Sequence, residues 1–345
     1  MSFRSWATII TLILIALVVF FGRHQILHAF TLLGRVDIWI LLLIIPVQLV
    51  SYYAVGGMIF SYLRSKGDLK TTSHWAMTRM ALELNFVNHI IPSGGAAGFS
   101  YLGWVLGRHG VALGRATMAQ IVRFTMGFAS FIFLLIIAVG ILTFDHHVNH
   151  VVVIITLSLV AAAILLGAII VYVIGERKRV HTFSKGLTST INAVIRFFTR
   201  GRVSEALKLD SIEKFVIELH EDYVHIRSDK RILIKPFLWG ILMNVCDVGL
   251  LYIAFHSLGF AVNPATLYVA FGVSSAASII SVTPGGAGVY EAVMIAFLAS
   301  AGVHASVAIA GTLLTRVSLL LGTIIFGYFF YQLTIVKYGK RPIKR

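Results

Sequence analysis

Five ionisable residues, Glu83, Arg123, Asp247, Glu291 and Arg316, lie within or beside long apolar stretches of this sequence. Arg316 follows 24 uncharged residues, and Arg123 immediately precedes the uncharged run Phe124–Phe144. A charge at the centre of a bilayer costs about 3 kcal/mol even on insertion scales, unless it is paired or wetted. Such residues are therefore either structural ties or the lining of a polar path. Glu291 comes seven residues after Pro284 on a restarting helix, so it is placed to face Arg316. That pair reads as a tie, or as a gate that a passing headgroup opens. Asp247, in NVCDVG, has three readings: a partner for Arg123, a site for a cationic amine, or a carrier of a coupling proton.

The elements that position these charges are interrupted twice in the same way. IIPSGGAAGFSYLG begins at Ile90 and SVTPGGAGVYEAVM at Ser281, both inside apolar runs. Proline cannot continue the preceding hydrogen-bond ladder, and glycine lets backbone approach a ligand closely. Unpaired backbone survives in hydrocarbon only inside protein or beside a wet cavity. The helices restarting near Gly98 and Gly288 present free N–H groups and the positive end of the helix dipole, which suit phosphate. The plainer reading is that these glycines serve close helix packing.

With 345 residues, 58% hydrophobic and only 12% charged, the chain carries about half the charge of a soluble domain. Uncharged runs at Ser5–Gly22, Ile38–Leu63, Phe124–Phe144, Val151–Gly175 and Val317–Val336 approach or exceed the roughly 20 residues a membrane helix needs. The single Cys246 excludes an internal disulfide, and the histidines show no ligand spacing, although His89 beside Pro92 merits a test. No metal or cofactor is expected. Walker, dinucleotide and Gly-x-Ser-x-Gly signatures are absent.

Charge placement gives a topology. Of 29 Lys and Arg, 13 fall within 176–235 and five in the tail KYGKRPIKR, whereas the loops at 146–150, 256–264 and 300–306 hold none. The net charge of +15 is thus explained by membrane orientation and not by nucleic acid. The positive-inside rule puts both termini and the long segment in the cytoplasm, as expected in a bacterial or archaeal cytoplasmic membrane. Six full crossings follow, at Trp6–Phe21, Ile38–Tyr62, Ala116–Phe144, Val151–Gly175, Pro236–Leu258 and Ala305–Val336. The stretches His74–Arg108 and Pro264–Ala301 must each start and end on one side, as a re-entrant hairpin folded at Pro-Gly-Gly would. Extra full crossings are the alternative, since Pro264–Ser281 is nearly long enough to span. Within 176–235, Ile212, Phe215, Val216, Leu219, Tyr223 and Ile226 recur at helical spacing, predicting a cytoplasmic amphipathic helix.

The expected fold is an all-α polytopic membrane protein of about six to eight helices, forming a single membrane domain. Pro92 and Pro284 are 192 residues apart, as are Gly110-Val111 and Gly302-Val303, while Arg123 and Arg316 differ by 193. Units at 36–143 and 233–336 therefore read alike. Three crossings separate the two hairpins, so the units face opposite ways, an architecture common among secondary transporters.

TPGGAGVYE (283–291), NHIIPSGGAAGFS (88–100) and the hydropathy profile resemble the lysylphosphatidylglycerol synthase transmembrane-region family, also called flippase-like or UPF0104. By that resemblance Pro284, Gly285, Gly286, Gly288 and Glu291 match its strongest motif, and Asn88, Pro92, Gly94 and Gly95 an earlier one. In bifunctional members this region precedes a cytoplasmic transferase domain and moves the aminoacylated lipid. The sequence ends at Arg345 without such a domain, so lysyl transfer by this polypeptide alone is not expected. The implied function is movement of an anionic or zwitterionic lipid, such as aminoacylated phosphatidylglycerol or a polyprenyl-phosphate-linked sugar. Its headgroup would cross between the hairpins, with phosphate on the restarting helix ends and Arg123 or Arg316. Two alternatives remain: a lipid-modifying transferase subunit using Glu83 or Asp247, and a scaffold for a separate lipid synthase or transferase.

Overall fold

The computed structural model describes residues 36–90, 96–144, 228–279 and 288–338, with isolated positions between 154 and 224. The tips of both motifs, including Pro92, Gly94, Gly95, Pro284, Gly285 and Gly286, lie outside the described residues. So do the first crossing, Trp6–Phe21, and the apolar face expected at 212–226, apart from Ile217 and Val224.

Helices α1 (Ile38–Leu42) and α2 (Ile44–Ser65) follow one another with a turn at Leu43, and Asp37 caps α1 by accepting from Trp39 N and Ile40 N. Then come α3 (His74–Ile90), α4 (Ala96–Gly107) and the 32-residue α5 (Leu113–Phe144). After a 3-10 turn at Lys230–Leu233, α6 (Ile234–Ser257) leads to α7 (Pro264–Ile279) and α8 (Val289–Ser300). Pro264 opens α7 where its missing N–H costs nothing, behind an Asn263 whose side chain accepts from Ala265 N. Finally α9 (Ala305–Gly322) runs through a π-helical turn, Thr323–Gly327, into α10 (Tyr328–Tyr338). Among the described residues, four helical stretches are long and apolar enough to span a membrane: Ile38–Ser65, Leu113–Leu142, Lys230–Ser257 and Ala305–Lys337. Their exposed faces are apolar at four-residue spacing, as with Phe133, Ile137 and Ile141, or Ile325, Phe329 and Leu333. That is the pattern of a lipid-facing stripe.

The remaining four helices are too short to cross. α3 and α7 are about 25 Å long and α4 and α8 about 18 Å, against a hydrocarbon core of about 30 Å. α4 folds back along α3, since Asn88 meets Gly98 and Glu83 meets Tyr101. Asp68, just before α3, pairs with Arg115, just after α4, at 3.1 Å, so the pair begins and ends at one end of the bundle.

α2 and α6 pack side by side in opposite directions. Asp37 N donates to Ser257 O at 2.8 Å at one end, while Tyr53 meets Trp239 ring to ring, 5.2 Å between centroids, toward the other. The spacing of 192 recurs in the contacts. Val111 N donates to Leu106 O and Val303 N to Leu298 O, each closure made possible by a glycine at positive φ, Gly110 at 81° and Gly302 at 89°. A side chain at Gly57 would strike Trp239, and one at Gly249 would touch Val47; both positions of the second contact are shifted by 192 from the first, with partners exchanged. Gln48 against Gly322 and Gly240 against Ser130 obey the same exchange. Gln48 donates to Leu319 O and Asn244 to Gly127 O, carbonyls again 192 apart. Basic residues gather at one end: Arg64, Arg115, Arg231, Lys235 and, through the Trp75–Phe330 contact, the end of α10 at Lys337.

Candidate functional site

At the restart of the second hairpin, Gly288 adopts φ 92°, a conformation that only glycine takes without strain. Its N–H donates to Glu291 Oε2 at 2.6 Å, and Arg316 Nε from α9 donates to Glu291 Oε1 at 2.7 Å. Arg316 also lies over the Tyr290 ring, 4.5 Å from its centroid. Glu291 is buried, 4% exposed, so both charges depend on this pairing. The sequence pairing of Glu291 with Arg316 is therefore present. At the start of α8 the chain's own carboxylate engages the Gly288 N–H, one of the N–H groups expected to receive an anion.

In the first unit the arginine remains and the acid is missing. Arg123 corresponds to Arg316 at a spacing of 193, and by that spacing Glu291 corresponds to Gly98. Gly98 is buried, and its side of the helix faces Asn88: a Cβ there would lie 2.1 Å from Asn88 Oδ1. Asn88 Oδ1 is itself buried and has no hydrogen-bond partner among the described residues. Gln120 spans the site, donating to Gly98 O at 3.5 Å and accepting from Arg123 Nε at 2.8 Å. Arg123 rests on the Phe124 ring at 4.0 Å and forms no ion pair among the described residues. The expected pairing of Arg123 with Asp247 is not made. Asp247 instead accepts from Ser51 on α2 at 2.8 Å, a partner that the antiparallel packing of α2 on α6 supplies.

The two units meet around these groups. Ser51 of α2 donates to Asp247 of α6 at 2.8 Å, and Tyr52 Oη of α2 lies 2.7 Å from Thr323 Oγ1 just after α9. Glu83 is a different case. It is fully buried, and both its oxygens are engaged, by Tyr101 Oη at 2.7 Å and Thr334 Oγ1 at 2.6 Å, with Arg79 at 3.4 Å. It ties α3 to α4 and α10 and offers no free oxygen for chemistry. Among the described residues no group of histidine, cysteine and carboxylate side chains could hold a metal.

The sequence that folds into these elements coincides with a known sequence profile. The profile of the Lysylphosphatidylglycerol synthase TM region family matches residues 6–327. This chain belongs to that family. A relative within reach of ordinary sequence comparison is a UPF0104 membrane protein of Methanothermobacter thermautotrophicus strain Delta H, 22% identical over 144 residues. That match covers 42% of this chain and 40% of the archaeal protein. Membership in the lysylphosphatidylglycerol synthase TM region family places the chain among multi-pass membrane proteins of lipid modification or transport.

Sequence reasoning named Asn88, Arg123, Asp247, Glu291 and Arg316, of which the structure joins Glu291 to Arg316. It missed Gln120, Ser51 and Tyr290, which carry no charge. Glu291 three residues into α8 was a readable sign of an occupied helix start, since a carboxylate there reaches back to the cap.

Proposed function

We propose that this protein moves a phosphate-bearing anionic or zwitterionic lipid across the membrane, its headgroup passing between two inverted units. The observation that carries this reading is the asymmetry of the two arginines. Glu291 already supplies an anion to Arg316 and to the start of α8. The equivalent place beside Arg123 has a glycine and, among the described residues, no ion-pair partner for that arginine. A phosphate entering there would take the role of Glu291, with Arg123 as its counter-charge and the Gln120 side chain beside it. Asp247, bound only to neutral Ser51 among the described residues, would receive an ammonium where the headgroup carries one.

Antiparallel packing of α2 on α6 and the exchange of contacts at a spacing of 192 support an inverted pair of units, the arrangement that permits alternating access. Glu83 is engaged by Tyr101 and Thr334, which leaves Asp247 as the carboxylate for the lipid-modifying alternative; transport is the reading we take forward.

The test is translocation of fluorescent phosphatidylglycerol in proteoliposomes, read by quenching of outer-leaflet label. The wild type accelerates translocation over protein-free liposomes, and Arg123→Gln abolishes the acceleration while the protein stays folded. A wild type no faster than empty liposomes would overturn the reading.

A further inference from the structure

Apart from the arginine tract, a second polar feature opens at the basic end of the bundle. A cavity of about 830 Å³ lies between the end of α2, the start of α3 and the first turns of α6. That volume falls within the range of small-molecule sites, which run from about 300 to 1,000 Å³.

Three cationic side chains, Arg64, Arg231 and Lys235, border the cavity against one carboxylate, Asp229. Asp229 is already committed, accepting from Arg231 N at 3.1 Å to cap the 3-10 turn. Arg231 and Lys235 make no ion pair among the described residues. Arg64 donates to Thr72 O at 2.6 Å and lies 3.3 Å from His74, yet its Nε is buried without a hydrogen-bond partner. Like charges gathered around one space repel, and an anion within that space relieves them. Guanidinium groups favour phosphate for its matching geometry.

The rest of the wall is apolar. Trp239 closes one side, held edge-on to Tyr53 and lying against Gly57, where a side chain would collide with its ring. Leu238, next to it, is 57% exposed on a stretch long and apolar enough to span a membrane. Trp75, beside His74, is 61% exposed at the same end, as an interfacial tryptophan is. A soluble phosphate needs only the cations. A cavity with a cationic rim, an aromatic wall and an edge open to lipid fits a molecule with a phosphate at one end and hydrocarbon at the other.

We infer that this cavity binds the headgroup of an anionic phospholipid at the basic end of the bundle, separately from the Arg123 tract. The site shares a ligand class with the transport reading but not its residues, so loss of binding on changing Arg231 and Lys235 with transport intact, or loss of transport on changing Arg123 with this binding intact, tells the two apart.

The experiment uses the full-length protein in phosphate-free detergent, titrated with dioctanoyl phosphatidylglycerol, dioctanoylglycerol and glycerol 3-phosphate, with binding read by microscale thermophoresis. The phospholipid binds saturably, and both the phosphate-free lipid and the tail-free phosphate bind at least tenfold more weakly. The double substitution Arg231→Gln and Lys235→Gln weakens phospholipid binding at least tenfold. The charge-preserving Arg231→Lys with Lys235→Arg, and Lys337→Gln elsewhere at the same end, keep it within threefold of wild type. Equal binding of dioctanoylglycerol would overturn the phosphate assignment, and equal binding of glycerol 3-phosphate the lipid assignment. An unaffected double Gln variant, or equal loss in Lys337→Gln, would overturn the site itself. The same three titrations in an Arg123→Gln background, which removes the other proposed phosphate site, decide the matter even where the Arg231 and Lys235 variants fail to fold.

Discussion

Arg316 Nε lies 2.7 Å from Glu291 Oε1, joining the start of α8 to the middle of α9 inside the bundle. The same two places in the first unit hold Arg123 and Gly98. One unit therefore pairs its arginine with a carboxylate, whereas the other leaves its arginine without an ion pair among the described residues, and the predictions below separate the two.

Removing Arg316 strands a buried carboxylate. Arg316→Gln destabilises the protein by about 3 kcal/mol, because breaking one side of a buried pair leaves the other charge uncompensated. Adding Glu291→Gln recovers most of that loss. Thermal unfolding in detergent checks both; equal melting of wild type and Arg316→Gln would show that Glu291 does not depend on its partner.

Arg123 behaves in the opposite way. It has a neutral hydrogen bond to Gln120 and a ring contact with Phe124, so Arg123→Gln costs no more than about 1 kcal/mol. Lipid translocation in proteoliposomes nevertheless falls at least tenfold. Arg123→Lys retains a part of it, since an ammonium keeps the charge without the planar fork. A large melting shift with normal translocation would reverse the roles assigned to the two arginines.

Glu83 is a structural tie. Glu83→Ala leaves Tyr101 and Thr334 without their acceptor and opens a hole at a fully buried position. The expected loss is about 2–4 kcal/mol, seen in the melting curve. Translocation per folded molecule stays within twofold of wild type. A selective loss of activity with unchanged melting would restore Glu83 to the functional site.

Ser51 and Asp247 join α2 to α6 at 2.8 Å. In a Cys246→Ala background, Ser51→Cys with Asp247→Cys is joined by a short bifunctional thiol reagent within one chain. Proteolysis between the units, followed by gel electrophoresis, detects the link. Separate fragments after treatment would contradict the packing of α2 on α6.

Much of this was legible in the sequence because the signals are local. Apolar runs of spanning length fix Ile38–Ser65, Leu113–Leu142, Lys230–Ser257 and Ala305–Lys337 to within a few residues. Gly110 and Gly302 are required by positive φ, so a repeat of the chain repeats them. Glu291 and Arg316 were joined by their charges. What escaped depends on one helix lying against another: Ser51 for Asp247, Gln120 for Arg123, and Trp239 over Gly57. Uncharged side chains give no warning of such meetings. The Arg123–Asp247 pairing failed for the same reason, since opposite charges on neighbouring helices need not share a face.

The most direct measurement fills the first unit's site from within. Gly98→Glu in an Asn88→Ala background removes the side chain that Gly98 faces and puts a carboxylate where Glu291 stands in the second unit. Lipid translocation by this double variant is compared with Asn88→Ala alone, in proteoliposomes of matched protein content and matched melting temperature. The account predicts at least a tenfold fall on adding the carboxylate, because it pairs with Arg123 and occupies the place of the lipid phosphate. Translocation equal to that of Asn88→Ala would contradict it.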